Sequence, residues 1–393
     1  MSIKKILFVT LARIDDVNQS GIYTDLISKF ANHGHKVTIL CPIERRFKKK
    51  TRVIISKNVK IIQVRSLNIQ KTNFVEKIIS TFFIEFIFLA AYYKHCGKTV
   101  FDLGLFTTPP IFLTNFIKFV NSKLKLKYLL LKDIFPQNAV DLKITSRYSV
   151  FYLYSKFVEK KLYKTMDYIG CMSKANMNYL KNNYNIDCKK LEINPNSVDI
   201  SKYPKKTKQK KNKKLKLIYG GNIGLPQNPK LFSSFILQIE FLKNISFKIV
   251  GSGTEFKFLK HFIKMNSIKN TQILSDLSKE DYFKELEMSD VGLIFLNENF
   301  SIPNFPSKLL DYLYFDLAIF SNTDKITDIC DFINTTKIGK CFYGISDIEN
   351  MIIEIVKLQK NSSELNRFKN NSFKSLCEYF NVDNSFKLLN EKI

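Results

Sequence analysis

The feature that most constrains the fold is an alternation that begins, breaks off and begins again. Strand-length apolar runs such as KKILFVTLA, KVTILC and VKIIQV are separated by longer amphipathic stretches, the first a predicted helix from Ser20 to Asn32. Runs that are apolar throughout suit strands covered on both faces, which means a parallel sheet whose crossovers are helices. DLGLFTTPP, KYLLLKDIFP, DYIGCMS and KKLEINPNSVD continue the series, each closing at a polar or proline-bearing turn. The carboxyl ends of such strands are where ligands bind. Ser201 to Lys214 then carries lysines without acids and almost nothing apolar, so it predicts a solvated connection. After it the alternation restarts with KLIYGGNIG, SFKIVGSG, TQILSDL, DVGLIFLN and LAIFSN, with predicted helices from Pro229 to Leu242, Glu255 to Met265, Lys279 to Met288 and Ser307 to Phe315. The expectation is an α/β protein of two Rossmann-like, doubly wound domains. Their predicted bounds are residues 1–200 and 215–375, joined by a linker at 201–214. Residues 376–393 are expected to form a C-terminal helix that packs back on the first domain.

Charge separates the halves as sharply as the lysine-rich stretch does. Residues 1–200 carry a formal +19, residues 201–216 add +9, and residues 217–393 sum to −1, of a total +27. A bias toward lysine codons would raise both halves alike, so the asymmetry points to a polyanion or an anionic bilayer facing the first domain. With 13 Gly, 10 Pro and 45% hydrophobic residues, the composition excludes a disordered or collagen-like chain. Seven scattered cysteines without a Cys-x-x-Cys motif give no readable disulfide framework and no zinc module, which suits a reducing cytosol.

Met1 to Ala12 reads as a first buried strand, because no small-residue cleavage pattern follows its apolar stretch. The longest apolar stretch, Ile78 to Tyr93, contains Glu85 and falls short of the roughly 18 to 20 uncharged residues that a membrane span needs. It is expected to be a buried helix or an in-plane membrane anchor. Arg45, Arg46, Lys48, Lys49, Lys50 and Arg52 are expected in a loop after KVTILC, as a patch attracted to an anionic leaflet.

Three motifs of the second half suggest chemistry. In Gly220-Gly221-Asn222-Ile223-Gly224 a strand enters a glycine-rich turn ahead of a helix, which would let backbone N–H groups approach a diphosphate. Gly251-Ser252-Gly253 repeats the arrangement on the next strand. Pro306-Ser307-Lys308 suits a helix start, where a cation joins exposed amides. Asp311, three residues after Lys308, is expected on the same exposed helix face, placed to accept ribose hydroxyls. An ordinary capped helix with a surface Lys/Asp pair is the competing explanation. The histidines 33, 35, 95 and 261 have no metal-ligand spacing, so no metal is expected.

GGNIGLPQ, KIVGSG, SDVGLIFL and PSKLLDYLYFDLAIFS together resemble the C-terminal half of bacterial retaining glycosyltransferases of the GT-B fold, glycosyltransferase family 4. SGIYTDLISKFANHGHKVTIL, LGLFTTPP, LKDIFPQ and INPNSVD resemble its N-terminal half, so the likeness covers nearly the whole chain. It is nearest in flavour to the subgroup with PSK before the acidic position, which includes sugar transferases of O-antigen and capsule assembly. The resemblance implies two domains facing across a cleft, a nucleoside diphosphate sugar donor, UDP-linked, and a lipid-linked saccharide acceptor. It also implies a peripheral position on the cytoplasmic face of the plasma membrane. Donor binding would fall to Gly221, Asn222, Gln227, Gly251, Ser252, Gly253, Pro306, Ser307, Lys308 and Asp311. Asp133, Lys308 and Asn222 would be catalytic, and Asp16, Ser20, Gly21, Thr107 and Thr108 would line the acceptor side. Much of the wider family carries an acid eight residues before Asp311, where this chain has Pro303, and an Arg after the GG turn that is absent here.

Two other classes compete. A sugar-nucleotide epimerase or a non-catalytic nucleotide-sugar binder would keep the fold and drop the transfer. A nucleic-acid-binding protein would use the positive half, but the chain has 7 Arg against 55 Lys, no Trp and no recognisable reading motif, so no nucleic acid is expected.

Overall fold

The computed structural model describes residues 2–69, 72, 74–206, 214–275 and 277–393. The chain forms two compact units, Met1–Lys202 with Asn381–Ile393, and Tyr203–Phe380.

The first unit runs β1 (Lys5–Val9), α1 (Thr24–Asn32), β2 (Lys36–Glu44), β3 (Arg52–Ser56), β4 (Val59–Ser66), α2 (Phe74–Cys96), β5 (Leu103–Thr107), α3 (Thr114–Val120), β6 (Lys127–Leu131), α4 (Gln137–Asp141), α5 (Val150–Thr165), β7 (Tyr168–Cys171), α6 (Lys174–Tyr184) and β8 (Leu191–Ile193). Its sheet has the order β3-β4-β2-β1-β5-β6-β7-β8. Ile6, Leu7, Phe8 and Val9 are fully buried, as a strand between two helical layers requires. Chain order reverses between β1 and β5, and their carboxyl ends form the switch point at which open sheets of this kind hold ligands.

Three expectations are corrected in this unit. The sheet is not wholly parallel: β3 pairs antiparallel with β4, with Arg52 opposite Gln63 and Ser56 opposite Val59. Its RVIIS sequence lacks the continuous burial of the inner strands because it lies at the edge. The basic cluster is not a plain loop, since Arg45–Phe47 form a 3-10 turn and Arg52 opens β3. Three of its arginines are paired, Arg45 with Glu76 at 2.7 Å, Arg46 with Glu44 at 3.2 Å and Arg52 with Asp15 at 3.1 Å. KKLEINPNSVD supplies only the three residues of β8, because the backbone leaves the sheet at Asn194, whose N–H still donates to Cys171 O.

The second unit runs β9 (Leu215–Asn222), α7 (Pro229–Ile239), β10 (Ile245–Ser252), α8 (Phe256–Met265), β11 (Thr271–Leu274), α9 (Lys279–Glu287), β12 (Val291–Phe295), α10 (Lys308–Tyr314), β13 (Ala318–Thr323), α11 (Ile329–Thr336), β14 (Gly339–Tyr343), α12 (Ile348–Lys360) and α13 (Ser362–Tyr379). The sheet is parallel in the order β11-β10-β9-β12-β13-β14, with its reversal between β9 and β12. Its core interleaves Leu217 and Tyr219 of β9 with Leu231, Phe232 and Phe235 of α7 and Phe295 of β12. Cys330 of α11 and Cys341 of β14 are joined as a disulfide, with Cα atoms 5.6 Å apart, a single pair where the scattered cysteines gave no readable framework. The pairing is local, since α11 leads into β14 and packs against it.

The lysine-rich connection is likewise not solvated throughout. Tyr203 is 8% exposed, stacks on Tyr314 with ring centroids 4.2 Å apart, and Tyr314 Oη donates to Pro204 O at 2.7 Å. Lys206 pairs with Asp316 at 2.8 Å. One tyrosine among the lysines is enough to fix the start of the segment, and the rest of it, residues 207–213, lies outside the described residues.

After Phe380 the chain returns to the first unit as α14 (Val382–Asn390). Val382 N–H donates to Val198 O at 3.0 Å, and Val382, Phe386 and Leu389 complete the core around Phe30.

Candidate functional site

At the switch point of the second sheet, backbone stands where side chains usually do. Gly221, the penultimate residue of β9, has φ at 114°, a conformation that side-chain-bearing residues rarely adopt. On the neighbouring strand a Cβ at Gly251 would fall on the carbonyl oxygen of Gly221. The two strands stay paired through Gly251–Gly221 and Ser252–Asn222 because neither glycine projects a side chain. Ile223 N–H donates to Ser252 O at 2.9 Å, and Glu255 N–H returns to Ile223 O at 3.0 Å, so the second glycine turn, Gly251 to Gly253, is laced to the first.

Asn222 and Gln227 are brought together. Gln227 Oε1 accepts from Asn222 Nδ2 at 2.9 Å and from Gly224 N–H at 3.1 Å, which closes the loop. Their side chains therefore shape the turn directly.

Helix α10 supplies the charge. Ser307 precedes it without a side-chain cap, Pro306 is buried, and Lys308 opens the helix. Tyr312 fixes the helix against the sheet: its hydroxyl accepts from Gly220 N–H at 2.8 Å and donates to Leu293 O at 3.2 Å. Lys308 is thereby carried over the end of β9, with Nζ 3.5 Å from the centroid of the Tyr219 ring. The same Nζ would lie 3.7 Å from a Cβ at Gly221. Among the described residues no carboxylate pairs with it, and burial alone holds its pKa well below the ordinary lysine value.

Asp311 and Lys308 were expected on an exposed face; both are half-buried. They do not pair with each other. Asp311 Oδ1 accepts from Tyr203 Oη at 2.7 Å, and burial raises the carboxyl pKa despite that bond. The reason lies at Tyr203, which stacks between Tyr314 and Phe283 and brings its hydroxyl over the helix.

In the first unit the switch point is lined by hydroxyls. Thr107 and Thr108, at the end of β5, are buried, and Thr107 Oγ1 donates to Thr10 Oγ1 at 3.0 Å across β1. Thr108 Oγ1 accepts from the N–H groups of Lys132 at 3.0 Å and Asp133 at 3.4 Å, which fixes the start of the KDIFP turn. The Asp133 side chain is exposed there, and its charge, after burial, helps to raise the Tyr23 hydroxyl. Ser20 and Gly21 lie in the loop into α1, where Gly21 N–H donates to Asp25 Oδ1 at 3.2 Å. Asp16 sits apart, its carboxylate accepting from Asn18 N–H at 2.9 Å.

Several of these supports were missed in the sequence: Thr10, Tyr23, Asp25, Tyr203, Tyr219 and Tyr312. Asp25 had a signal, an acid on the otherwise apolar face of a predicted helix. It is fully buried and accepts from Asp199 N–H at 2.9 Å while pairing with Lys202 at 3.1 Å. The tyrosines had none, since an aromatic in a strand or helix reads first as core. Among the described residues no group of three or more His, Cys, Asp and Glu side chains could hold a metal ion. No helix of the described residues is long and apolar enough to cross a membrane.

These two units define a protein of the GT-B class, α/β with two Rossmann-like domains. Sucrose-phosphate synthase from Thermosynechococcus elongatus superposes with a TM-score of 0.73 at 11% identity, over 99% of this chain and 98% of that one. HepE from Anabaena in complex with UDP-glucose gives 0.67 at 10% identity, over 99% and 98%. WaaG, a glycosyltransferase involved in lipopolysaccharide biosynthesis, gives 0.66 at 12% identity, over 98% and 99%. No protein-family model and no curated protein sequence matches the chain.

Proposed function

We propose that this protein is a glycosyltransferase that moves a hexosyl or N-acetylhexosaminyl group from a UDP-linked donor to a lipid-linked saccharide. Transfer proceeds with retention of configuration, in surface polysaccharide or glycan assembly at the cytoplasmic face of the membrane. The observation that carries the reading is Lys308: a half-buried ammonium that pairs with no carboxylate among the described residues, held by Tyr219 beside a glycine-rich turn. A cation so placed lacks an anion, and a diphosphate supplies one along with acceptors for the loop N–H groups. The likeness to HepE, whose structure holds UDP-glucose, supports a uridine donor.

In this reading Lys308 and the glycine turns of Gly221 and Gly251 to Gly253 hold the diphosphate and stabilise the charge that grows as the anomeric carbon–oxygen bond breaks. Ser307 and Pro306 set the entry of α10, Asn222 and Gln227 keep the turn closed, and Asp311 with Tyr203 grips the ribose. The acceptor hydroxyl attacks from the side of the leaving group, and a donor phosphate oxygen receives its proton, so no protein nucleophile is needed. Thr107, Thr108, Gly21, Ser20 and Asp16 belong to the acceptor side, with Asp133 positioning the transferred sugar. Lys308 performs the neutralisation that a divalent ion would otherwise provide, and the reaction is metal-independent.

The test is a thermal-shift screen of nucleotides followed by product analysis on UDP-sugars with and without a lipid-linked acceptor. UDP is expected to stabilise the protein, and Lys308→Met to lower the shift strongly at the same UDP concentration. Conversion of the UDP-sugar to its epimer without acceptor would replace transfer by epimerisation. Loss of transfer in EDTA, restored by Mn²⁺ or Mg²⁺, would overturn the metal-free mechanism.

A further inference from the structure

Helix α5 is built inside out. Its enclosed side carries Ser155, Glu159 and Tyr163 beside Val158 and Leu162. Glu159 is fully buried and accepts from Tyr163 Oη at 2.7 Å and from Tyr184 of α6. The opposite side leaves Val150 83%, Leu153 57%, Tyr154 45% and Phe157 63% exposed. Their spacing of three, four and seven residues makes one continuous stripe on the helix surface.

Helix α2 repeats the pattern. Ile84, Phe88 and Tyr92 are buried, while Ile79, Phe83, Phe86 and Tyr93 lie in the open. The stripes of α2 and α5 adjoin, since Phe82 of α2 lies 5.7 Å from Tyr154 of α5. Helix α3, which packs against both helices, adds exposed Phe119. Single exposed apolar residues are ordinary on a protein surface, but two helical stripes side by side mark a face that something covers.

The charges around this face select the occupant. Lys118 precedes Phe119, and Lys161 follows Phe157 by one turn with its ammonium 5.9 Å from that ring. The Lys118 and Lys161 side chains lie within hydrogen-bond reach of each other, and that contact, with the repulsion of their charges, lowers the Lys161 pKa. The nearby acid, Glu85, is engaged by Asn115 through N–H at 3.2 Å and Nδ2 at 2.8 Å. Lys160 and Lys164 are exposed on the same half of α5, whose one acid is the buried Glu159. Two like ammonium groups beside an apolar stripe match a layer with anionic headgroups over hydrocarbon. A second copy of the same face would bring these lysines against each other.

We infer that the face formed by α2, α3 and α5 docks on an anionic lipid surface, with the aromatic stripes at the acyl boundary and Lys118 and Lys161 on the headgroup phosphates. The inference deepens the reading of a lipid-linked acceptor. It also moves the contact away from the cluster at 45–52, whose arginines are spent on Glu76, Glu44 and Asp15.

The test is flotation of the full chain with vesicles of phosphatidylcholine alone and of phosphatidylcholine mixed with phosphatidylglycerol. The protein is expected to float with the mixed vesicles and to detach at high salt. Leu153→Ser with Phe157→Ser, and separately Lys118→Gln with Lys161→Gln, should each lower partitioning about tenfold or more, with the UDP thermal shift retained. Lys48→Gln, Lys49→Gln and Lys50→Gln together should change it by less than about twofold. Full binding by both face variants with loss in the triple variant would overturn the inference. So would equal binding to neutral vesicles, binding to neither, or a dimer in light scattering that Phe157→Ser dissociates. Vesicle binding without any UDP shift would instead count against the donor reading and leave the docking face standing.

Discussion

The carboxyl ends of the two sheets are finished in opposite ways. Near the ends of β9 and β10 stand Gly221 and Gly251, so close that a Cβ on Gly251 would strike the backbone of Gly221, and Lys308 supplies a cation above them. At β1 and β5 the chain ends beside Thr10 and Thr107, whose hydroxyls bond each other. The same topological position thus offers N–H groups and positive charge in one unit and paired hydroxyls in the other. Bare amides with an ammonium suit a phosphate, and hydroxyls suit a neutral polyol.

The contrast breaks most easily at Gly251. A Gly251→Ala side chain would meet the Gly221 carbonyl, a backbone atom that cannot swing away, so the loop must shift or the strands must part. UDP affinity measured by calorimetry is expected to fall by about 100-fold or more, with a loss of about 2–3 kcal/mol in urea unfolding. Full affinity in Gly251→Ala would show that the close strand approach is dispensable.

Lys308→Met comes next. Losing a charge-assisted contact should cost about 1.5–3 kcal/mol, or about 10- to 150-fold in UDP affinity, with little change in fold because Met keeps the stem on Tyr219. The pH dependence has a definite sign. In the free protein burial depresses the lysine pKa, and a bound diphosphate favours the charged form and raises it, so binding takes up a proton. Affinity should therefore fall as pH rises through the depressed pKa, and this slope should vanish in Lys308→Met. The free protein should gain stability between that depressed pKa and the ordinary lysine value, where the unfolded chain binds the extra proton.

Asp311→Ala sharpens the comparison within the second unit. On an exposed face it would be harmless to the fold; as built, it removes a half-buried charge-assisted bond from the Tyr203 hydroxyl and should cost about 1–3 kcal/mol. Tyr203→Phe removes the donor but keeps the stack on Tyr314, and should cost about 1 kcal/mol or less. A stability loss in Asp311→Ala that Tyr203→Phe relieves would separate the structural bond from a contact with ribose.

The smallest effect is expected in the first unit. Thr107→Val removes the hydroxyl that donates to Thr10, whose oxygen keeps Ala12 N–H at 3.1 Å, and should lower stability by about 1 kcal/mol. UDP affinity should not change, while the KM for a lipid-linked acceptor should rise. A drop in UDP affinity would erase the division of labour between the two sheet ends.

How much of this was legible depends on whether the signal was local. Gly221, Gly251 and Lys308 could be read because a glycine pair after an apolar run, or a Pro-Ser-Lys before a helical one, announces its geometry within a few residues. Lys48 to Lys50 could be read as charge, but the pairing of Arg45 and Arg52 could not, because Glu76 and Asp15 are 31 and 37 residues away in sequence. The disulfide between Cys330 and Cys341 escaped for a different reason: an isolated pair without a framework gives no pattern. Tyr203 was hidden by its neighbours, since a lysine-rich stretch looks solvated whatever a single aromatic in it does.

By itself the sequence determined the two mostly parallel sheets, their restart after the lysine-rich stretch and the glycine turns, because hydrophobic period and turn chemistry act over one or two elements at a time. Only the tertiary structure decided which groups those elements carry to a common point. It set Lys308 on the Tyr219 ring, Asp311 under the Tyr203 hydroxyl and the last helix, through Val382 and Phe386, into the core of the first unit. It also turned the apolar side of α5 outward, because the volume beneath that helix is filled by the Glu159, Tyr163 and Tyr184 network. Burial is a property of what stands opposite a residue, and what stands opposite is fixed by contacts across many turns of chain.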